Sequence, residues 1–404
     1  MRKRLLIFAW EYHGYHSDRG SALSRRVSQV AESFNLNGWE VIVIHKDHRN
    51  ECNGNPFLKS QEKDGLTRIA VKLERDIEDF NKIVFVRKFE TLYYITFFGD
   101  RSYYWANEVI ANFDKFGIDV NPDYIISFYT PRVTLYLGKY FSKKLGIPWI
   151  ADLQDPIYQG ISRMSRFFCK LWIKNVLKTA KSIVQVSPEW AENDGKEINR
   201  SIATIRHAVP TDNVKIDSNF DTEFKKHYGN AFNVFYGGSL SPKIQSLDKL
   251  KKLVEYANSI NIKINILIAG NQTSYIPFKE KLGEKVAIHL GWLDAIQMNE
   301  YIYNCNCTLV IPWSKNKIGI PSKFYEFCSY NKPIWVIGDD IGGFNSLLNE
   351  WKHPKILIND LEYQKKAFLA AVNNNDYSYM FNMTNCEGTI IRANGLYNQY
   401  EKLL

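Results

Sequence analysis

LLIFAWEYHGYHSDRGSALSRRVSQVAESFNLNGWEVIVI, residues 5–44, carries two periodicities in one segment. Leu5–Ala9 is an apolar run of strand length. Gly14–Gly20 is polar and glycine-bounded, which suits a loop. From Ala22 to Leu36 the apolar residues Leu23, Val27, Val30, Ala31 and Phe34 fall three or four apart, the spacing of one helix face. Gly38 stops that helix, and Val41–Ile44 is a second apolar strand. Strand, loop, helix and strand in this order make a β-α-β unit, which needs a parallel sheet and a right-handed crossover.

The same rhythm continues. Tyr124–Phe128, Pro148–Ala151 and Ser182–Val186 read as strands, with helices over about 132–145 and 161–179. A second series begins after Pro210, with strands at Asn233–Tyr236, Ile262–Ala269, Val286–Leu290, Cys307–Ile311 and Pro333–Ile337. Helices are expected at Leu247–Ser259, Met298–Asn304 and Ser322–Tyr330. The 404 residues thus divide into two Rossmann-like, doubly wound α/β domains joined near 208–230. They are expected to face a central cleft lined by the carboxyl ends of both sheets, where open α/β sheets hold ligands. Between strands of the first domain, residues 80–105 hold ten aromatic residues interleaved with Arg87, Lys88 and Arg101. This insertion reads either as an inward-packing helical subdomain or as a patch facing an acceptor or membrane.

Composition narrows the class. A chain 45% hydrophobic and 14% aromatic builds a sizeable core, which excludes general disorder. No apolar run reaches the ~20 residues of a membrane-spanning helix. The first apolar run ends at Trp10, before Glu11 and His13, so it reads as a strand rather than a secretory leader, and a cytoplasmic protein is expected. Six cysteines without CxxC spacing speak against a zinc site or disulfide framework. Of the +9 net charge, residues 1–208 carry +7 (31 Lys+Arg, 24 Asp+Glu) and residues 209–404 carry +2 (21 against 19). The first half therefore suits an anionic partner. Within it, 156–181 has no acidic residue, and Arg163, Arg166, Lys170, Lys174, Lys178 and Lys181 recur at helical spacing beside Ile161, Met164, Phe168 and Trp172. Such a helix over 161–181 suits an anionic membrane surface, or a domain-packing role with a solvated basic edge. No recognised nucleic-acid motif is present, so no nucleic-acid partner is expected.

Chemistry is suggested first by GIPSKFYEF, residues 319–327. Ser322 suits an N-cap, Lys323 sits in the first turn, and Glu326 follows at i+3 on the same face. A helix start with a lysine suits a phosphate, and the carboxylate can accept hydrogen bonds from ribose hydroxyls. A capped helix with a local Lys–Glu pair explains the same residues. In the first domain, Asp152 and Asp155 follow a strand end, and Asp155 is the first candidate for an acid/base or orienting group, or, before Pro156, a structural turn residue. The loop after the first strand holds His13, His16, Asp18, Arg19, Gly20 and Ser21, without the GxGxxG of a dinucleotide fingerprint. Asp339-Asp340 lacks DxD spacing, so no metal is expected.

Taken in order, the opening strand–loop–helix, IPWIADLQDP (147–156), SIVQVSPEWAE (182–192), VFYGGSL (234–240), ILIAGN (266–271), IHLGWL (288–293) and IPSKFYEF (320–327) resemble a GT-B glycosyltransferase. They are similar to retaining family four, the capsule and lipopolysaccharide-type nucleotide-sugar transferases. The resemblance implies an acceptor-side domain 1–208, a donor domain 209–385 and a helix within 386–404 that packs back on the first domain. Glu326 matches the second Glu of the E-x7-E motif, which holds the donor ribose; Ile318 stands at the first Glu. Ser239 stands at the usual Arg of the first donor-domain turn, and Lys243 for the following Lys. Lys323 then becomes the diphosphate ligand, beside Pro321 and Ser322. Asn271, Trp292 and Leu293 fall among the donor contacts, the last two near the base. Gly20 and Ser21 approach the donor phosphates. Asp155 and His16 are the acceptor-side candidates, Gln154 replaces a usual Arg, and His207 and Asp212 lie near the hinge. The implied reaction moves a sugar from a nucleotide-sugar donor to a lipid-linked or growing surface-polysaccharide acceptor, with retention and without metal, in the cytoplasm or peripherally at the inner membrane face. The alternatives are a nucleotide-sugar hydrolase or epimerase of the same fold, and a non-catalytic glycan-binding scaffold.

Overall fold

The computed structural model describes residues 2–14, 22–73, 93–94, 96–100, 102–118, 121–158, 166–210, 218–313, 319–339, 343–351, 357–381 and 392–404. The chain divides into two compact units: residues 1–208 together with 392–404, and residues 209–391.

The first unit is built on an eight-stranded sheet of order β3-β4-β2-β1-β5-β6-β7-β8. The strands are β1 (Arg4–Phe8), β2 (Glu40–Lys46), β3 (Phe57–Lys63), β4 (Leu66–Val71), β5 (Tyr124–Tyr129), β6 (Trp149–Leu153), β7 (Ser182–Gln185) and β8 (Ala203–Thr204). All neighbours are parallel except the edge pair β3–β4, an antiparallel hairpin. Successive side chains of a strand point to opposite faces. Leu5, Ile7, Val41 and Val43 therefore enter one core with the helix Ala22–Leu36, and Leu6, Phe8, Ile42 and Ile44 enter the other with helices Tyr103–Asn112, Val133–Leu145 and Arg166–Leu177. Burial on both faces explains why these strands read as continuous apolar runs. The last described helix, Leu396–Glu401, adds Leu396 and Tyr400 to the core beside Phe34.

The second unit carries a five-stranded parallel sheet, β11-β10-β9-β12-β13. Its strands are β9 (Phe232–Gly237), β10 (Ile264–Ala269), β11 (Ala287–Gly291), β12 (Cys307–Val310) and β13 (Ile334–Val336). Helices Asp248–Ser259, Gln272–Leu282 and Leu361–Asn374 cover one face; Ala295–Asn304 and Ser322–Cys328 cover the other. In both units the winding reverses at the first strand, between β1 and β5 and between β9 and β12. Open α/β sheets bind ligands outside the carboxyl ends at such a reversal.

The sequence reading needs three amendments here. It lacks the hairpin β3–β4, because β3 shows no apolar alternation: Leu58, Lys59 and Gln61 are all exposed at a solvated sheet edge. The basic helix is described only from Arg166 to Leu177, and residues 159–165 lie outside the described residues. Most of the aromatic segment 80–105 also lies outside them; of its described part, Trp105 is fully buried whereas Tyr93 and Phe97 are exposed.

Candidate functional site

At the carboxyl end of the second sheet, three strands finish in glycine or run straight into it. Gly237 ends β9 and is followed by Gly238 at φ +122°; Gly270 follows β10 at φ +140°. Both latter conformations favour a residue without a Cβ. The strand ends are tied together by backbone: Gly238 N–H donates to Ala269 O at 3.3 Å, and Gly270 N–H to Gly291 O at 2.8 Å. His289 Nε2 lies 3.0 Å from Gly270 O, and its ring stacks on Tyr275 at 4.7 Å. The result is a bare backbone shelf along β9, β10 and β11.

The helix Ser322–Cys328 delivers Lys323 to this shelf, on the far side of the winding reversal. A Cβ placed on Gly238 would lie 3.7 Å from both Cγ and Cε of Lys323, so the lysine stem lies over that glycine. Lys323 Nζ is 2.8 Å from Glu326 Oε2, and the Glu326 side chain is 9% exposed against 28% for the lysine. Chemically this is one cation and one carboxylate beside backbone that an anion can approach closely. A phosphate can take the cation, and hydroxyl groups can donate to the carboxylate. Gln245 braces the same end of the sheet: its amide accepts from Ser241 N–H at 2.9 Å and donates to Ile311 O at 2.8 Å.

The other donor-side candidates are placed as follows. Pro321, not Ser322, occupies the N-cap, at φ −55° and ψ 133°, without a side-chain cap bond. Proline's fixed φ suits that flanking position and makes Ser322 the first helical residue. Asn271 caps Gln272–Leu282, its oxygen accepting from Ser274 N–H at 3.0 Å. Its carboxamide oxygen is thus committed to the helix. Ser239 is exposed and its carbonyl accepts from Tyr236 Oη at 3.1 Å. Lys243 is exposed. Trp292 is 81% exposed and takes no part in the core, while Leu293 packs against it. Asp339 pairs with Lys249 at 3.5 Å; Asp340 and Ile318 lie outside the described residues.

In the first unit, Asp155 lies just past β6 and accepts from Thr130 Oγ1, just past β5, at 3.3 Å. Its carbonyl accepts from Gln185 Nε2 at 3.3 Å. Gln185 also donates to Asp194 Oδ2 at 3.0 Å, and Ile157 N–H reaches the same oxygen at 3.4 Å. Burial pushes the Asp194 carboxyl up to about 6, against the lowering effect of those two hydrogen bonds. Tyr129 Oη donates to Ile157 O at 3.2 Å. The Asp155 loop is therefore held from three sides. Asp194 is absent from the sequence reading; Ser187-Pro188-Glu189, a capped helix start two residues past β7, is the available signal for the helix that carries it.

Asp152 does not sit past a strand end. It lies inside β6, fully buried, and accepts from Arg26 Nε at 3.0 Å and Nη2 at 2.9 Å. Arg26 also donates to the carbonyls of Ile205 and Arg206 at 3.0 Å each, and Tyr400 Oη donates to Asp152. A buried carboxylate needs such partners, so this pair is structural. Gln154, two residues on, is buried as well. His207 is pushed down to about 3 by burial and by Arg26 and Arg25, which keeps it neutral. In the loop after β1, His13 Nδ1 lies 3.3 Å from Arg49 Nη2, and burial with that cation lowers its pKa. His16, Asp18, Arg19, Gly20, Ser21 and Asp212 lie outside the described residues.

No protein-family model matches the chain, and no curated protein matches it. Solved structures do. The catalytic domain of starch synthase IV from Arabidopsis thaliana, bound to ADP and acarbose, is similar over 100% of this chain and 99% of its own, with TM-score 0.64 and 13% identity. Sucrose-phosphate synthase from Thermosynechococcus elongatus gives TM-score 0.62 at 14% identity, covering 100% and 99%. Anabaena HepE in complex with UDP-glucose gives 0.60 at 10% identity, covering 99% and 98%. Likeness at this level of identity shows the fold, and that fold is GT-B.

Proposed function

We propose that the protein is a glycosyltransferase that takes its sugar from a nucleotide-sugar donor bound at the carboxyl end of the second sheet. One observation carries the reading: Lys323 lies over Gly238, with Glu326 beside it, at the winding reversal between β9 and β12. Lys323 neutralises the diphosphate leaving group and Glu326 accepts from the ribose hydroxyls. The bare strand ends at Gly237, Gly238 and Gly270 let phosphate oxygens approach the backbone. Trp292, Leu293, Ser239, Lys243 and the amide nitrogen of Asn271 serve as further donor contacts. Two of the similar structures hold UDP-glucose or ADP, which supports a nucleoside-diphosphate donor.

The acceptor belongs to the first unit, with Asp155 as the orienting or proton-accepting carboxylate and His16 as the second candidate. Stabilising a departing diphosphate needs fixed positive charge rather than covalent chemistry, and with Lys323 in that role the reaction is read as metal-independent. With retention, the acceptor hydroxyl attacks from the leaving-group face and the departing phosphate takes its proton. The acceptor is a lipid-linked or growing surface glycan.

A thermal-shift screen against UDP, GDP, dTDP, CMP and ADP, with and without magnesium, tests the donor site. A ligand bound at 100 times its Kd adds about 2.7 kcal/mol to the folded state. One selective shift that is indifferent to magnesium is expected. No shift with any nucleotide would overturn the donor assignment; a shift that needs magnesium would overturn metal independence. Donor cleavage without any acceptor would turn the reading to a hydrolase.

A further inference from the structure

In the first unit, apolar side chains from separate elements stand out of the surface on one side. Phe97 is 58% exposed, Phe167 63% and Leu171 54%. They are not loose. Trp172 Nε1 donates to Phe97 O at 3.1 Å, and Asp100 accepts from the backbone N–H of Arg132 at 2.6 Å and of Ser102 at 2.9 Å. Gly99, at φ +95°, packs so closely that a Cβ there would come 2.5 Å from the Trp172 ring. The backbone holding Phe97 is thus fastened to helices Val133–Leu145 and Arg166–Leu177 while the ring stays in water. Leaving each such side chain exposed forgoes the free energy of its burial.

Between these elements runs a groove of about 800 Å³, lined by Phe97, Leu171, Tyr136 and Tyr140 on its apolar side. Its charged lining is Lys139, Lys143 and Lys144, with no carboxylate among the described residues. Lys144 reaches Asp114 at 3.1 Å outside the groove. Lys139 is lowered by partial burial and by the neighbouring charges of Lys143 and Lys178, so the lysines repel one another and want an anion. Arg166 and Lys170 share one side of Arg166–Leu177, where Glu197 engages them at 4.0 and 2.5 Å. The lysines that line the groove lie on Val133–Leu145, and Lys178, just past the end of the other helix, stands beside Lys139.

We propose that this face docks on an anionic phospholipid bilayer, with Phe97, Phe167 and Leu171 entering the interface and acidic headgroups seated over Lys139, Lys143 and Lys178. Apolar tips ringed by lysines match the layered chemistry of that surface, apolar below and anionic above. The tyrosines lining the groove present an apolar ring and a polar hydroxyl to the same boundary. No helix among the described residues is long and apolar enough to cross a membrane. The inference stands independently of the donor site.

The test is sedimentation of the full chain with phosphatidylcholine vesicles carrying 0 or 30% phosphatidylglycerol, at low and high salt. Binding is expected only with the anionic lipid. Lys139→Glu/Lys143→Glu should weaken it at least about 25-fold, roughly fivefold per lysine removed, and high salt should mimic that loss. Leu171→Ser, a change at an exposed position, should weaken binding at both salt concentrations. Each variant must keep the melting temperature and any nucleotide-induced shift of the parent, which separates failure here from failure of the donor site. Equal binding by parent and variants, or none by the parent, overturns the proposal. So does self-association abolished by Leu171→Ser, or binding to a single-stranded RNA oligonucleotide as tight as to the vesicles.

Discussion

Lys323 is the residue on which the proposed chemistry turns. Its stem rests on a glycine and its ammonium is held by Glu326, so it is positioned before any ligand arrives. Replacing it with alanine removes a charged hydrogen bond to the leaving group, which costs ~2–4 kcal/mol of transition-state stabilisation, or ~30–1000-fold in turnover. Steady-state kinetics beside a melting curve would decide: turnover within about threefold of the parent, in a folded variant, removes Lys323 from the site. Asp194 makes a different prediction. Its carboxyl titrates at about 6 in the folded protein, against an ordinary value of 3.8. Between those values the folded state binds the proton more tightly than the unfolded chain, so stability falls as pH rises through that window, by about 3 kcal/mol in all. Urea titrations at pH 4.5 and 7 should show that decline in the parent and a flatter profile in Asp194→Asn. Identical profiles would mean that the burial of this carboxyl has no energetic weight.

Among the elements, helix Val133–Leu145 shows how closely sequence and packing are coupled. A glycine inside a helix costs ~1 kcal/mol relative to alanine, so Gly138 looks wasteful on propensity. In the structure a Cβ at that position would lie 2.3 Å from Ser127 Oγ and 2.6 Å from the Trp149 ring, both fully buried. The helix approaches β5 and β6 along that bare stripe. Gly138→Ala should therefore destabilise by ~1–3 kcal/mol despite the better helix former, because overpacking a dense core forces its neighbours off their rotamers. A higher urea midpoint would contradict the close approach. The same coupling explains what the sequence makes legible. β1, β2, β5, β6, β9, β10 and β12 are buried on both faces, and their apolar runs between glycines and prolines announce them. β3 sits at an exposed edge and reads FLKSQEK, with no pattern to betray a strand. Lys323 and Glu326 are visible in the sequence because three residues on a helix suffice to bring them together. Arg26 and Asp152 meet across 126 positions, and nothing local records that. Asp152 therefore reads as a cleft carboxylate when it is a buried structural one.

For the molecule as a whole, the first unit is discontinuous: residues 392–404 belong to it although 209–391 intervene. Leu396 and Tyr400 are fully buried in its core, and Tyr400 completes the hydrogen bonding of the Arg26–Asp152 pair. Removing residues 396–404 forfeits two large burials at ~1.5–3 kcal/mol each and opens a charged pair to water. Differential scanning calorimetry should show the first unit's transition lowered by on the order of 10 °C. An unmoved transition would mean that the last helix is ornamental to that core.

That arrangement also has a consequence in time. On the ribosome, the strands and helices of residues 1–208 emerge about 180 residues ahead of the segment that closes their core. At ~5–20 residues per second the interval is roughly 10–40 s. Throughout it, the nascent chain carries an open apolar slot over a guanidinium–carboxylate pair that lacks its phenol. Chaperones that hold exposed apolar surface have that interval in which to act, and a chain stalled before residue 392 never leaves it.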